Sequence, residues 1–499
     1  MKPLFLFVRP PRPLWPLNGP STAFWPPLAF ASLAAALREG VPGVRVAIID
    51  APALSMGWAT LAQLLQTLGP DYVCIGEEAV SCVEGIRISK LARQLGAKVI
   101  AGGCFFSHTA NEVLGSGLAD VVVHGEGELT IVELAQALAE RDSNALRLVA
   151  GISFRDGEEI VFTGRRELLP DLDLLPFPAY DLLPIEKYGS WSRHHPQFAS
   201  IESGRGCSHG CQFCVLWRQM GRFNSGRCVP CLRVKSPERL LEEVRILMDK
   251  FGRRYLGWVD PCFNADPHLH ARLAELLLRE DRVIGQSAWV RADYLLRDDI
   301  SGALKLCYDS GLNEAYIGIE RMECADLERL GKGNLNGEAA LAVRLLRTYY
   351  PRVFTFGSFI YGLPSDTPES VRASFRAALQ LPLDQMLFIP FTPLPGTPFW
   401  ESGMWDSTGE KFRSFDFMPH AGSKDDPMEL SSEIARSYLF EWSSKRIGRM
   451  VARLMDRDSR RRRINLNLLR RSFPLMVSAA LQRRARNSCG MIFPAWYES

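Results

Sequence analysis

The sequence predicts an α/β protein in three parts. These are an N-terminal doubly wound domain over residues 1–150, a complete or partial β/α barrel over residues 191–400, and a mainly helical C-terminal region over residues 401–499. Strand-like and helix-like segments alternate in the first two parts, a loop rich in Leu, Pro and Asp separates them, and the last hundred residues contain no glycine-rich loop. A chain of 499 residues is long enough for two or three domains.

The composition is that of a folded protein, with 47% hydrophobic residues, 23% charged residues and a formal net charge of +3. It excludes wholesale disorder, collagen-like repeats and a small disulfide-bonded scaffold. No apolar run approaches the roughly 20 residues that cross a bilayer. The apolar segment 4–8 lacks a small-residue cleavage site and is followed by prolines, so we predict a first strand rather than a signal peptide. We therefore expect a cytoplasmic protein with reduced thiols.

Residues 1–150 show the alternation that is typical of a parallel, doubly wound sheet. The predicted strands are short and rich in β-branched residues, over 4–8, 44–49, 72–75, 99–101 and 121–123. The predicted helices lie between them, over 28–38, 83–95 and 128–139. Ligands of such sheets bind beyond the carboxyl ends of the strands. Two of the loops there carry glycines, at Gly102-Gly103 and at Gly125.

A hairpin and a linker are predicted between the two domains, over residues 151–190. Segments 152–155 and 160–162 flank an Asp156-Gly157 turn, which is a strong hairpin signal. The second domain then has six strand candidates alternating with helical patterns, as expected for about six βα units of a barrel. These candidates lie near 199–202, 255–259, 287–290, 314–319, 354–360 and 387–391.

Three of the 12 cysteines stand close together as C-x3-C-x2-C, at Cys207, Cys211 and Cys214. Thiolates are the ligands of iron–sulfur clusters, and three of them leave one iron of a 4Fe–4S cluster without a protein ligand. An open coordination position makes a metal centre catalytic rather than structural. A zinc site is the alternative, since Cys228-x2-Cys231 could supply a fourth ligand. Otherwise we predict that this second pair lies in a loop and that Cys262 is a buried thiol.

The cysteine spacing, with Phe213 before the last cysteine, resembles the signature of the radical S-adenosylmethionine (SAM) superfamily. The resemblance implies a 4Fe–4S cluster held by Cys207, Cys211 and Cys214. In that family the open iron chelates the amino and carboxylate groups of SAM, and reductive cleavage gives a 5′-deoxyadenosyl radical. It also implies an external reductant such as a flavodoxin or ferredoxin.

Later segments resemble further strands of the same family, in the same order. Asp260 stands where the family has a strand end beside the SAM amino group, and Arg291 where it contacts the SAM carboxylate or ribose. Gly318 and Glu320 match the family's G-I-E-S strand, in which Arg321 replaces the Ser and its role is open. The matching segments are 255–260, 287–293, 316–321, 359–364 and 391–398.

Motifs in the first domain appear in the order found in cobalamin-binding radical SAM proteins. They are Trp25-Pro26-Pro27, Pro70-Asp71-Tyr72-Val73, Gly102-Gly103 and Gly125-Glu126-Gly127-Glu128. The resemblance implies a cobalamin site that includes Gly102, Gly103, Gly125 and Glu126. The two paired glycines would let the backbone approach the corrin or its nucleotide tail.

A generic dinucleotide-binding domain is the alternative for this part of the chain. It would need G-x-G-x-x-G after the first strand, where this sequence has prolines. The D-x-H-x-x-G sequence that supplies a cobalt-ligating histidine elsewhere is also absent from this domain. The resemblance therefore implies no protein histidine on cobalt, and we predict that His108 and His124 are ordinary loop residues.

The resemblance implies a cobalamin-dependent radical SAM methyltransferase. Such an enzyme methylates an unactivated carbon by way of the 5′-deoxyadenosyl radical and methylcobalamin. Enzymes of this architecture also perform radical cyclisation or ring rearrangement without methyl transfer, which is one alternative. A non-catalytic cobalamin carrier or sensor is another.

The sequence says little about partners. We predict a small, hydrophobic substrate from scattered aromatic residues: Trp191, Trp217, Phe223, Trp400 and Trp405. No nucleic-acid partner is expected, because no RNA-binding module is visible. Residues 441–499 hold 14 Lys and Arg against 4 Asp and Glu, and apolar residues interleave with them. Peripheral contact of this basic C-terminal region with an anionic membrane is a further hypothesis.

Overall fold

The computed structural model describes residues 2–12, 25–76, 81–140, 142–189, 195, 197–333 and 337–402, with a few single positions beyond. The described chain forms two large sheets flanked by helices, and two small sheets of two strands each. The predicted helical, basic C-terminal region lies almost entirely outside the described residues. Within them, no helix is both long and apolar enough to span a bilayer.

The first sheet has seven strands in the order β2-β1-β3-β4-β5-β6-β7. The first five are parallel, and β6 and β7 form an antiparallel hairpin beside β5. The strands are β1 (Leu4–Arg9), β2 (Arg45–Asp50), β3 (Tyr72–Gly76), β4 (Lys98–Gly102), β5 (Val121–Val123), β6 (Ile152–Asp156) and β7 (Glu159–Phe162). All seven strands were predicted, and the hairpin extends the first sheet.

Helices cover both faces of this sheet. They are α1 (Leu28–Gly40), α2 (Trp58–Leu68), α3 (Cys82–Gln94), α4 (Gly103–His108), α5 (Ala110–Gly115), α6 (Glu128–Glu140) and α7 (Ser143–Arg147). Strand β1 is buried on both sides, because Leu6 and Val8 belong to one apolar cluster and Phe5 and Phe7 to another. This confirms the doubly wound prediction. The strand order reverses between β1 and β3, and that is where such sheets bind ligands.

The second part contains ten strands. They are β8 (Phe198–Ile201), β9 (Gly204–Cys207), β10 (Arg222–Asn224), β11 (Arg227–Val229), β12 (Cys231–Val234), β13 (Tyr255–Trp258), β14 (Gly285–Val290), β15 (Leu312–Glu320), β16 (Phe354–Tyr361) and β17 (Gln385–Pro390). Six of them form a parallel sheet in the order β8-β13-β14-β15-β16-β17, as predicted. Strands β8 and β17 are its edges, so the described strands form an open sheet, the partial form of the predicted barrel.

Helices alternate with the strands of the second part. They are α8 (Leu216–Gln219), α9 (Pro237–Arg245), α10 (Leu269–Arg279), α11 (Ala292–Ile300), α12 (Ala303–Ser310), α13 (Cys324–Arg329), α14 (Glu338–Tyr349), α15 (Pro368–Ala378) and α16 (Pro398–Glu401). Helix α9 begins at Pro237 because the Ser236 hydroxyl caps it by accepting the backbone N–H of Arg239. Shorter turns of 3₁₀ or π type lie at Leu172–Leu174, Tyr180–Leu182, Ile185–Lys187, Ile246–Lys250 and Phe263–Ala265.

Candidate functional site

Residues 207–214 carry the three clustered cysteines between β9 and α8, and all three thiols are free. Two hydrogen bonds fix the shape of this cysteine loop. The indole N–H of Trp217 donates to the carbonyl oxygen of Cys211 over 2.9 Å. The backbone N–H of Gln212 donates to the carbonyl oxygen of Leu330 over 2.8 Å. The loop is therefore held both by the helix that follows it and by the end of α13.

Strand β9 pairs antiparallel with β12, and this pairing places Cys207 directly opposite Cys231. Opposite residues share one face of the pair, with Cβ atoms about 4.5–5.5 Å apart. Gly206 has a φ of +83°, and a Cβ there would lie 1.9 Å from the carbonyl oxygen of Cys231. Only glycine permits this approach. Cys228 and Cys231 thus lie on the short strands β11 and β12 rather than in the predicted loop.

A buried ion pair lies beside the cysteine loop. The Lys332 ammonium donates to Glu320 Oε1 over 3.0 Å, and both side chains are less than 10% exposed. Burial opposes the charged form of Lys332, but the charges of Glu320 and the Cys211 thiolate outweigh it and raise its pKa. A Cβ on Gly318 would lie 2.7 Å from Glu320 Oε1 and 2.8 Å from Lys332 Nζ, so glycine makes room for the pair. Glu320 has a strained φ of +64° at the end of β15.

Arg291 closes a second side of the same site. Its guanidinium donates to the Asp293 carboxylate over 2.9 and 3.0 Å and to the carbonyl oxygen of Lys332 over 3.2 Å. In the cysteine loop, His209 Nε2 is 2.7 Å from the Tyr294 hydroxyl oxygen. Three of the predicted SAM-contact residues, Arg291, Gly318 and Glu320, therefore meet around Lys332.

In the structure Asp260 binds residues 203 and 204, and its place beside the SAM amino group stays a prediction. Its carboxylate accepts the backbone N–H of Ser203 over 3.1 Å and that of Gly204 over 2.7 Å, and also the Ser203 hydroxyl. Burial raises the pKa of Asp260 to about 6, although these hydrogen bonds favour the charged form. In the structure this side chain fastens the turn between β8 and β9 that leads to Cys207.

Two residues whose roles were open have clear structural partners. Arg321 is buried and donates to the carboxylates of Asp326 and Asp366, and so joins helix α13 to the loop that follows β16. The Cys262 thiol is buried, as predicted, and lies 3.5 Å from Asn264 Oδ1. Burial raises the pKa of this thiol to about 12.

Three predicted glycines line the carboxyl edge of the first sheet. Gly102 ends β4, Gly103 begins α4 with a φ of +78°, and Gly125 follows β5 with a φ of +71°. A Cβ on Gly102 would come no closer than 3.7 Å to another atom, and one on Gly125 no closer than 3.9 Å. At Gly102 and Gly125 there is therefore unfilled space beside the backbone where a Cβ would lie.

The two histidines near this edge are neutral at pH 7. Burial, with the charges of Arg218 and Arg165, lowers the pKa of His108 to about 4, and burial with Arg165 does the same for His124. His124 Nε2 lies 2.8 Å from Ser153 Oγ. His108 is the last residue of α4 rather than part of a loop.

In the structure Glu126 pairs with the second domain, and its contact with cobalamin stays a prediction. Glu126 forms a salt bridge with Arg233, and Glu128 forms one with Arg205, across the domain boundary. The nitrogen-to-oxygen distance is 2.6 Å in both. We call these four residues the interdomain arginine–glutamate cluster.

Aromatic side chains form a ladder across the inner face of the second sheet. Trp289, Tyr316 and Phe356 occupy neighbouring positions on β14, β15 and β16. Their rings stack with centroids 4.8 and 4.9 Å apart. Trp289 is 37% exposed, and Leu387 on β17 is 49% exposed. The sequence did not single out this ladder, because each strand contributes one ring.

The aromatic residues that the sequence did single out do not converge. Trp217 supports the cysteine loop, Phe223 lies on the β10–β11 hairpin, and Trp400 packs on the first domain. Trp191 and Trp405 lie outside the described residues.

The donor set fits an iron–sulfur cluster. It consists of three thiols from one loop. Burial raises the pKa of Cys211, and the nearby charges of Lys332 and Arg291 act in the opposite direction. Among the described residues, no three His, Cys, Asp or Glu side chains could hold a single metal ion. A 4Fe–4S cube gives each thiolate its own iron, so its ligands need not converge on one point.

The fold and the site together define a protein with two cofactor domains. The B12 binding domain family matches residues 15–135, and the radical SAM superfamily matches residues 201–378. The chain belongs to the cobalamin-binding radical SAM proteins, and its cofactors are cobalamin, a 4Fe–4S cluster and SAM.

Characterised and uncharacterised relatives cover most of the chain. An uncharacterised methyltransferase of Pyrococcus horikoshii is 29% identical over 75% of this chain and 78% of its own length. The anaerobic magnesium-protoporphyrin IX monomethyl ester cyclase of Cereibacter sphaeroides is 27% identical over 76% of this chain and 60% of its own length. The hopanoid C-3 methylase of Methylococcus capsulatus is 27% identical over 78% of this chain and 71% of its own length.

The fold is shared with a solved structure. The radical SAM methyltransferase TsrM of Kitasatospora setae, with cobalamin and a 4Fe–4S cluster bound, superimposes with a TM-score of 0.62 at 18% identity. The match covers 81% of this chain and 75% of TsrM.

Proposed function

We propose that this radical SAM enzyme is a methyltransferase that methylates an unactivated carbon of a small, apolar molecule. The observation that carries the proposal is the combination in one chain of a three-cysteine loop and a sheet edge that carries Gly102, Gly103 and Gly125, the glycine edge. Relatives named methyltransferase or methylase support the methyl-transfer part.

The residues have the following roles in this proposal. Cys207, Cys211 and Cys214 bind three irons of the cluster and leave the fourth for SAM. The backbone at Gly102, Gly103 and Gly125 receives cobalamin. When bound, the cluster supplies the electron that cleaves SAM, and cobalamin supplies the methyl carrier.

The SAM side of the site has both charges that an amino acid needs. Arg291 would bind the SAM carboxylate or ribose, and Glu320 would face the amino group. Lys332 fixes the position of Glu320, because the two side chains are buried together 3.0 Å apart. Asp260 would position the cluster ligand Cys207 indirectly, by holding the turn that precedes it.

The aromatic ladder supports an apolar substrate. Tyr316 and Gly318 lie two residues apart on β15 and therefore share one face of the strand. The ladder is thus one layer away from the proposed SAM contacts. Replacing Trp289 by Ala should weaken substrate binding while SAM cleavage without substrate continues, as product analysis by mass spectrometry can measure.

A non-methylating cyclase is the second candidate, because three relatives are named cyclases. Anaerobic incubation of the reconstituted protein with SAM and a strong reductant separates the two. A methyltransferase should release both 5′-deoxyadenosine and S-adenosylhomocysteine, with label from methyl-deuterated SAM in the product. Deoxyadenosine without S-adenosylhomocysteine, in the presence of a converted substrate, would refute methyl transfer and support the cyclase.

A further inference from the structure

The interdomain arginine–glutamate cluster lies between the two proposed cofactor sites. Arg205 and Arg233 stand directly opposite each other on β9 and β12. Glu128 begins α6, and Glu126 lies in the turn just before it. The first pair of residues belongs to the radical SAM domain and the second pair to the B12 binding domain.

Each arginine forms a bidentate pair of hydrogen bonds with one carboxylate. Arg205 donates from its two terminal nitrogens to Glu128 over 2.6 and 3.1 Å, and from Nε to Glu202 over 2.9 Å. Arg233 donates to both oxygens of Glu126 over 2.6 and 3.0 Å. Planar forks of this kind restrict both the distance and the orientation of the groups they join.

Stability alone is a weak explanation for this arrangement. The four side chains are between 7% and 11% exposed. The free energy needed to remove such charges from water is nearly as large as the free energy gained from their attraction. Apolar residues at a buried site often give equal stability. Charged forks do supply a fixed geometry, which an apolar contact between two domains does not.

The cluster is attached rigidly to both sites. Arg205 is two residues before Cys207 on the same strand, a separation of about 7 Å along an extended chain. Glu126 directly follows Gly125 at the glycine edge. A shift of α6 relative to β9 would therefore move the two cofactors relative to each other.

We propose that Arg205 and Glu128, supported by Arg233 and Glu126, are positioning residues that set the distance and orientation between cobalamin and the iron–sulfur cluster. This rests on the proposed placement of both cofactors. It assigns to the Gly125–Glu128 segment a mechanical task besides any contact with cobalamin.

The chain offers a matched control. Arg38 on α1 makes the same bidentate contact with Asp181, over 2.7 and 3.0 Å. Both of these side chains are at least 40% exposed. Neither neighbours a residue proposed to hold a cofactor.

The test is a cobalt-to-cluster distance, which does not depend on turnover. The full chain is loaded anaerobically with iron, sulfide and cobalamin and poised so that cob(II)alamin and the reduced cluster are both paramagnetic. Pulsed electron paramagnetic resonance then gives the dipolar coupling between the two spins. Cys207→Ser protein, loaded with cobalamin alone, provides the uncoupled reference.

We expect one narrow distance in the wild type and in Arg38→Met. Arg205→Met and Glu128→Gln should broaden or shift it, and Arg205→Lys, which keeps the charge without the fork, should restore it in part. A wild-type distance distribution in Arg205→Met with both cofactors bound would overturn the proposal. If the Arg205→Met protein does not bind both cofactors, the other two variants decide. Wild-type distance distributions in both Arg205→Lys and Glu128→Gln would then also overturn the proposal.

The outcomes separate this inference from the proposed function. Distances that respond as expected in a protein that transfers no methyl group leave the positioning role intact and remove only methyl transfer. A wild-type protein that binds only one of the two cofactors overturns both.

Discussion

Gly318, Glu320 and Lys332 show how one absent side chain allows a buried ion pair to form. The pair lies where any Cβ on residue 318 would collide with it. The strained backbone at Glu320 is held in place by the same contacts. At this scale the site depends on charge balance, since a buried carboxylate without its partner is costly.

Replacing Lys332 by Met should destabilise the cluster-free protein by about 3–5 kcal/mol, because Glu320 is left buried and unpaired. The double variant Glu320→Gln, Lys332→Met should recover much of that loss. Lys305→Met removes an exposed ion pair with Asp309 and should cost less than about 1 kcal/mol. Denaturant unfolding measures all three, and a Lys332→Met protein as stable as the wild type would contradict the assigned pairing.

Cys207 and Cys231 face each other, yet only Cys207 belongs to the proposed ligand set. Cys207→Ser should lower the iron and sulfide content of the reconstituted protein to well below the wild-type value. Cys231→Ser should keep about four irons per chain. Loss of the cluster in Cys231→Ser would show that the ligand set includes a fourth thiolate and has no open iron.

Among the elements, the β9–β12 pair leads directly into the cysteine loop. It aligns Cys207 at the end of a strand and presents Arg205 and Arg233 to the first domain. Gly206 permits the pairing, because its backbone is left-handed and lies against a carbonyl oxygen.

Gly206→Ala should therefore destabilise the protein and impair cluster assembly. Gly226 is the matched control, since it has a similar φ of +80° but no atom within 4 Å of the position that a Cβ would take. Gly226→Ala should cost only the roughly 1–2 kcal/mol of a left-handed alanine. Equal losses of stability and of iron in the two variants would contradict the importance of the close strand contact.

The strands of both sheets could be predicted from sequence, because each is a short apolar run between helical patterns. Strands β9 to β12 could not. They are only three or four residues long and contain many arginine, glycine and cysteine residues, as in Gly204–Cys207 and Arg227–Val229. Their pairing depends on contacts that only the folded chain makes.

For the whole molecule, the cysteine ligands could be predicted from their spacing in the sequence, whereas contacts between distant segments could not. Arg205 and Glu128 are separated by 77 positions, and no pattern in either segment links them. Lys332 also stands outside every motif, although it lies at the centre of the proposed SAM contacts. The hypothesis of membrane contact through the basic C-terminal region stays a prediction.

The central claim is that one chain holds cobalamin and a SAM-binding 4Fe–4S cluster side by side. Electron paramagnetic resonance of the anaerobically reconstituted, reduced protein, with and without SAM, tests it most directly. We expect about one cobalamin and one 4Fe–4S cluster per chain, with a cluster signal that SAM changes because it binds the open iron. A cluster signal that SAM leaves unchanged, in protein that holds both cofactors, would contradict the account.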